Sequence, residues 1–202
     1  MKKFSLLYLI FSLLSWIILL RDRFTLEIIS TKFYPQLSNL FAQTENLKLN
    51  TWPTVLFLLI VILLFFFYFR SLKLNLSPAK IIFASILFQI IVFFSYPILS
   101  TDILSYILSD RVSVVYHQNV WTTKPNQYTS DPYYYLVYPI YKDRDWTNQT
   151  RIYGGVNQFF YSLSTTLSGN DLLANLASHK LVVLLFNIST IFLVYFILLG
   201  HK

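Results

Sequence analysis

Four long apolar stretches, Phe4 to Leu20, Trp52 to Phe69, Ile81 to Leu99 and Leu181 to Gly200, dominate this chain of 202 residues. Each approaches the roughly 20 residues a helix needs to cross about 30 Å of hydrocarbon. Gln89 and Asn187 are their only strongly polar interruptions. Local signals agree with helix: Ser77 can cap the third stretch with Pro78 at its first helical position, and Pro53 falls in the first turn of the second. The expected fold class is therefore an all-α integral membrane protein, a single membrane domain of about four transmembrane helices. The first stretch follows Lys2 and Lys3 and can also be read as a signal peptide. It runs into Arg21-Asp22-Arg23 with no small-residue cleavage site, so a retained helix is expected.

Composition narrows the function classes. A chain with 55% hydrophobic and 12% charged residues fits a membrane protein far better than a soluble domain. Cysteine is absent, which excludes disulfides, thiolate metal sites and a cysteine nucleophile. Gly154, Gly155, Gly169 and Gly200 are not spaced to build a glycine-rich phosphate cradle. The net charge of +7 comes from residues that mostly flank apolar stretches and form no tract. Orientation in a bilayer explains them, and no nucleic acid partner is expected.

An N-terminus in the cytoplasm keeps Lys2, Lys3, Arg70, Lys73, Lys80 and Lys202 inside and all nine acidic residues outside. The short loop from Arg70 to Lys80 carries three basic residues and no acid, which weighs most in the positive-inside rule. The expectation is a multi-pass protein of the cell membrane with both termini cytoplasmic. Of the two outer loops, residues 21–51 hold an amphipathic stretch (Leu37, Leu40, Phe41, Leu47) suited to an interface.

The other loop, residues 100–180, is the informative one. Its start places Ile103, Leu104, Ile107 and Leu108 on one helical face and Asp102, Ser105, Tyr106 and Ser109 on the other. This predicts an interfacial helix with a carboxylate at its start. Val156, Phe159, Phe160, Leu163 and Leu167 predict a second. Between them lies an irregular segment rich in aromatic residues, Trp121, Tyr128, Tyr133, Tyr134, Tyr135, Tyr138, Tyr141 and Trp146 among them. Such side chains anchor at headgroups and also stack on sugar rings, and anchoring is the default reading. The sequon Asn148-Gln149-Thr150 lies in the same loop. Asp102 has two readings: a carboxylate poised for a lipid-linked substrate, or a first-turn residue that offsets the helix dipole. The residues alone favour the second.

Pro97, Ser100-Thr101-Asp102, Tyr106, Arg111, Asn119, Pro125, Asp131-Pro132-Tyr133, Tyr153-Gly154 and Lys180 occur in order after a membrane span. In this, residues 96–186 resemble the first large extracytoplasmic loop of GT-C glycosyltransferases, in particular bacterial polyprenol-phosphate-mannose-dependent mannosyltransferases. The resemblance implies transfer of a sugar, a hexose such as mannose, from a polyprenyl phosphate to a glycan or glycolipid acceptor on the outer face, with inversion. It implies Asp102 as general base, with Tyr106, Arg111, Asn119, Tyr153 and Lys180 around the substrates. Cationic groups hold the departing phosphate in that mechanism, which points to Arg111 and Lys180. Each also has an ordinary reading: Arg111 pairing with Asp110 or headgroups, Lys180 snorkelling at a helix entrance.

No cofactor or metal is expected. His117 and His179 are far apart with no cysteine and no Glu neighbour, and Asp143 and Asp145 flank Arg144 in what reads as a solvated turn. GT-C enzymes have more spans than the four found here, so the chain is expected to be an incomplete module, with a further subunit or segment supplying helices. The competing class is a non-catalytic membrane protein whose aromatic loop binds lipid, glycan or a partner. A transporter would bury ionisable residues within its spans, and these spans have almost none.

Overall fold

A computed structural model describes Ile10 and residues 12–15, 29–37, 52–71, 73, 76–96, 102–137 and 146–200. Every regular element among them is helical. We label the α-helices α1 (Trp52–Ser71), α2 (Pro78–Phe93), α3 (Asp102–Val114), α4 (Tyr134–Val137), α5 (Gly155–Ser168) and α6 (Leu172–Gly200). Short π or 3-10 turns occur at Ile29–Phe33, Pro35–Leu37, Pro125–Gln127 and Trp146–Asn148. The chain divides into two compact units: residues 1–21, 47–96 and 183–202 form one, residues 22–46 and 97–182 the other.

The first unit is built from the apolar stretches. α6, with 29 residues, is long and apolar enough to cross a bilayer, and the apolar stretches Leu58–Arg70 and Pro78–Phe93 are shorter. Most of the Phe4 to Leu20 stretch lies outside the described residues. Of it, Ser12 to Ser15 are helical, and Ser12 Oγ donates to the Ile91 carbonyl at 2.9 Å while Ser15 Oγ accepts from the Tyr96 amide at 2.7 Å. Polar side chains thus serve helix contacts while the large apolar ones face outward, as at Ile62, Phe65, Phe69, Phe196 and Leu198. An outward apolar surface of that extent marks a lipid or partner contact.

Helix limits depart from the expectation in two places. Pro78 opens α2, but the Ser77 hydroxyl makes no cap; the Ser77 carbonyl accepts the Lys80 and Ile81 amides instead. α2 then stops at Phe93, where the Phe94 and Ser95 amides turn back on Ile91 and Val92, so the expected extension to Leu99 is not helical through Ser95. α6 begins nine residues before Leu181, at Leu172, because Asp171 Oδ1 accepts the Ala174 amide and Asn175 and His179 are buried rather than exposed.

The second unit has a small apolar core of Leu104, Ile107, Leu108 and Val112 from α3, with Val120, Tyr133, Leu136, Leu172 and Leu176. α5 packs along α3. Both helices form where the periodicity predicts them, but α5 is turned against the usual rule. Its buried residues are Gln158, Ser164 and Thr165, whereas Val156, Phe159, Leu163 and Leu167 are exposed, Leu167 by 78%. The inward face is knit by hydrogen bonds: Gln158 Nε2 donates to Ser162 Oγ (2.6 Å) and Ser113 Oγ (3.2 Å). A helix with its polar side inward suits surroundings that are themselves apolar.

Candidate active site

Asp102, Ser105, Tyr106 and Ser109 recur at helical spacing on α3 and form one wall of a cleft of about 70 Å³. The other wall is the non-helical segment Gln149, Thr150, Arg151, Ile152 and Tyr153. That segment is pinned at two points. The Arg151 amide donates to the Val120 carbonyl at 2.9 Å, and Trp121 Nε1 donates to the Tyr153 carbonyl at 3.1 Å. Asn119 sets up the second contact, because its Oδ1 accepts the Trp121 amide at 2.9 Å and fixes the turn that carries the indole. Asn119 is therefore a positioning residue here, not part of the cleft wall.

Within the cleft, the Tyr106 and Tyr153 hydroxyls lie 2.8 Å apart. Burial, the Tyr153 hydroxyl and the Asp102 carboxylate one turn away all push the Tyr106 phenol well above the usual tyrosine range. Tyr106 is thus a neutral hydrogen-bonding group beside a carboxylate.

Behind these tyrosines lies a cation that the sequence did not single out. The Arg151 guanidinium carbon sits 5.6, 5.6 and 5.7 Å from the ring centres of Tyr106, Tyr153 and Tyr161. Its Nη2 donates to Asn157 Oδ1 at 2.6 Å, and its Nη1 lies 3.1 Å from Asp110 Oδ1. Its Nε is buried without a hydrogen-bond partner. Asp110 continues the network, with Oδ2 3.1 Å from His179 Nε2, and His179 Nδ1 faces the Asn175 carbonyl at 2.9 Å. Burial pushes the Asp110 carboxyl up, opposed by His179 and Arg151. A carbonyl only accepts, so His179 Nδ1 is the donor in that contact.

Two residues expected beside Asp102 are placed elsewhere. Arg111, on the helix face turned away from the cleft wall, is 3% exposed, with Nε 2.7 Å from Asp131 Oδ2 and Nη1 donating to the Gly169 carbonyl at 3.2 Å. Its partner is not Asp110 but a carboxylate twenty residues on, which also accepts from Tyr116 Oη at 3.0 Å. Gly169 makes this possible with φ of 58°, a left-handed conformation that disfavours a side chain, at the end of α5. Lys180 follows His179 on α6, half-buried, and does not line the cleft. Asp143 and Asp145 lie outside the described residues, and His117 is exposed beyond the end of α3.

Comparison with family models, with curated proteins and with solved structures finds no match for this chain.

Arg151 had one legible signal. It is a basic residue in a loop that the charge pattern assigns to the outer side, so membrane orientation does not account for it. Tyr161 had none, since it falls in a stretch whose apolar face alone drew notice.

Proposed function

We propose that this chain acts in a GT-C type glycosyl transfer, moving a sugar from a polyprenyl phosphate to a hydroxyl acceptor at the outer face of a cell membrane. In this reading the chain spans the membrane several times with both termini cytoplasmic. The observation that carries it is one cleft gathering Asp102, Tyr106 and Tyr153, three residues named from the sequence, with Arg151 beside them. The acceptor oxygen attacks the anomeric carbon from the face opposite the phosphate. The carbon–oxygen bond to the phosphate breaks, and the bonding pair leaves with the polyprenyl phosphate. Asp102 takes the acceptor proton, Tyr106 and Tyr153 orient the reacting oxygens by hydrogen bonds, and the positive charge of Arg151 favours the leaving anion. Arg151 replaces Arg111 and Lys180 in that role.

The exposed apolar face of α5 favours a second reading, a non-catalytic membrane protein whose loop binds lipid. One substitution separates the two. In the full chain in lipid with its helical partners, Asp102→Asn should lower transfer from polyprenyl-phosphate sugars by about 10²- to 10⁴-fold without affecting membrane insertion. Near-normal turnover in that variant removes Asp102 from the mechanism, and no transfer by the parent under any donor favours the lipid-binding reading.

A further inference from the structure

Away from the cleft, a larger recess opens in the second unit between Lys32, Phe33, Arg111, Pro132, Asn170 and Asp171, with a volume of about 380 Å³. Its walls come from four separate segments fastened to one another. Phe33 meets Tyr133 edge to face with ring centres 4.8 Å apart, and Lys32 Nζ lies over the Tyr135 ring at 5.3 Å. Tyr34 Oη donates to Asp171 Oδ2 at 3.0 Å and accepts the Leu173 amide at 3.0 Å. The recess is therefore a formed feature of the fold and lies within the usual size range for a small-molecule site.

Its chemistry has two signs. Arg111 commits Nε to Asp131 and Nη1 to Gly169, and among the described residues Nη2 has no protein hydrogen bond. Lys32 is exposed and adds a second cation on the rim. Asp131, which balances Arg111, is 1% exposed and spends its oxygens on Arg111, Tyr116 and the Tyr133 amide. It offers nothing to a ligand. Asp171, by contrast, is exposed, and each of its oxygens keeps a lone pair after accepting Ala174 and Tyr34. A plain anion would gain Lys32 and Arg111 but meet the Asp171 charge. A ligand with a phosphate and an ammonium a few bonds apart would satisfy both ends.

We propose that this recess binds a zwitterionic phosphate ester of the phosphoethanolamine type, the phosphate on Lys32 and Arg111 and the ammonium on Asp171. The chemistry is shared by a lipid headgroup and by the free ester. The site is separate from the Asp102 cleft and stands whether or not sugar transfer does.

Titration calorimetry on the full chain in detergent tests it, with O-phosphoethanolamine, inorganic phosphate, ethanolamine and dihexanoyl phosphatidylethanolamine as probes. O-phosphoethanolamine should bind more tightly than phosphate or ethanolamine alone, and Lys32→Gln, a change at an exposed side chain, should weaken it about tenfold. Asp102→Asn should leave this binding unchanged, so failure here and failure of the transfer reading are distinguishable. Tighter binding of the short-chain lipid than of the free ester assigns a membrane source, and equal binding assigns a soluble one. Equal affinity for phosphate and O-phosphoethanolamine, or no effect of Lys32→Gln, overturns the proposal.

Discussion

The Tyr106 and Tyr153 hydroxyls share a hydrogen bond of 2.8 Å while their rings meet edge to face at 87°. One ring comes from α3 and the other from a non-helical segment 47 residues later, so the contact ties the two walls of the cleft together. Tyr153→Phe keeps the ring contact and deletes only the bond. Sugar transfer should fall about tenfold, the scale of one hydrogen bond to an orienting group, with thermal unfolding nearly unchanged. A large loss of thermal stability instead would make Tyr153 a structural tie and take it out of the proposed site.

Arg151 should not tolerate lysine. An ammonium cannot bond Asn157 and reach Asp110 at once from among the three rings, so Arg151→Lys is expected to lose most of the transfer activity despite keeping the charge. Parallel kinetics of Arg151→Lys and Arg111→Lys check the assignment. If the second variant loses transfer at intact stability and the first does not, the leaving anion belongs to Arg111.

Asp131→Asn leaves Arg111 buried with no counter-charge. Breaking a buried pair from one side costs about 3–5 kcal/mol, and urea unfolding in mixed micelles should register it. A change below about 1 kcal/mol, the range of exposed pairs, would contradict the burial described for this pair.

Alkaline pH offers an independent check on the same cluster. Burial, with Asp131, pushes the Tyr116 phenol up from 10.0 to about 12. A folded-state value above the unfolded one means that the contribution is complete below pH 10 and is lost as pH rises toward 12. The parent should therefore lose stability across that window more steeply than Tyr116→Phe. Parallel curves for the two proteins would be inconsistent with the Tyr116–Asp131 bond.

Topology is open to chemical labelling because the chain has no native thiol. Ser130 is exposed, so Ser130→Cys should react with an impermeant maleimide added from outside intact cells. Reaction only after the inner face is made accessible would reverse the orientation.

How much of this was readable in advance follows from what periodicity measures. The spacing of Ile103, Leu104, Ile107 and Leu108 fixed α3, and the grouping of Asp102 with Tyr106 followed from the same geometry. For α5 the period located the apolar stripe but not the side it would face, because a stripe points toward whichever medium is least polar. Polar residues also hid the true start of α6: Asn175 and His179 precede the apolar stretch in sequence and are buried contacts in the structure. Pairings across long separations, Arg111 with Asp131 and Asp110 with His179, leave no periodic trace at all.

The inverted packing of α5 also sets where this loop can exist. In water the hydrophobic effect would favour rolling the helix over, hiding Val156, Phe159, Leu163 and Leu167 and stripping Gln158 of its serine partners. Without an apolar contact on that face, the loop would thus be driven toward a different packing of the same helix. Any attempt to work with residues 97–182 as a free-standing soluble piece should therefore yield a misassembled or aggregating species, and the native arrangement is one that an apolar contact on this face, with lipid or with a partner, selects.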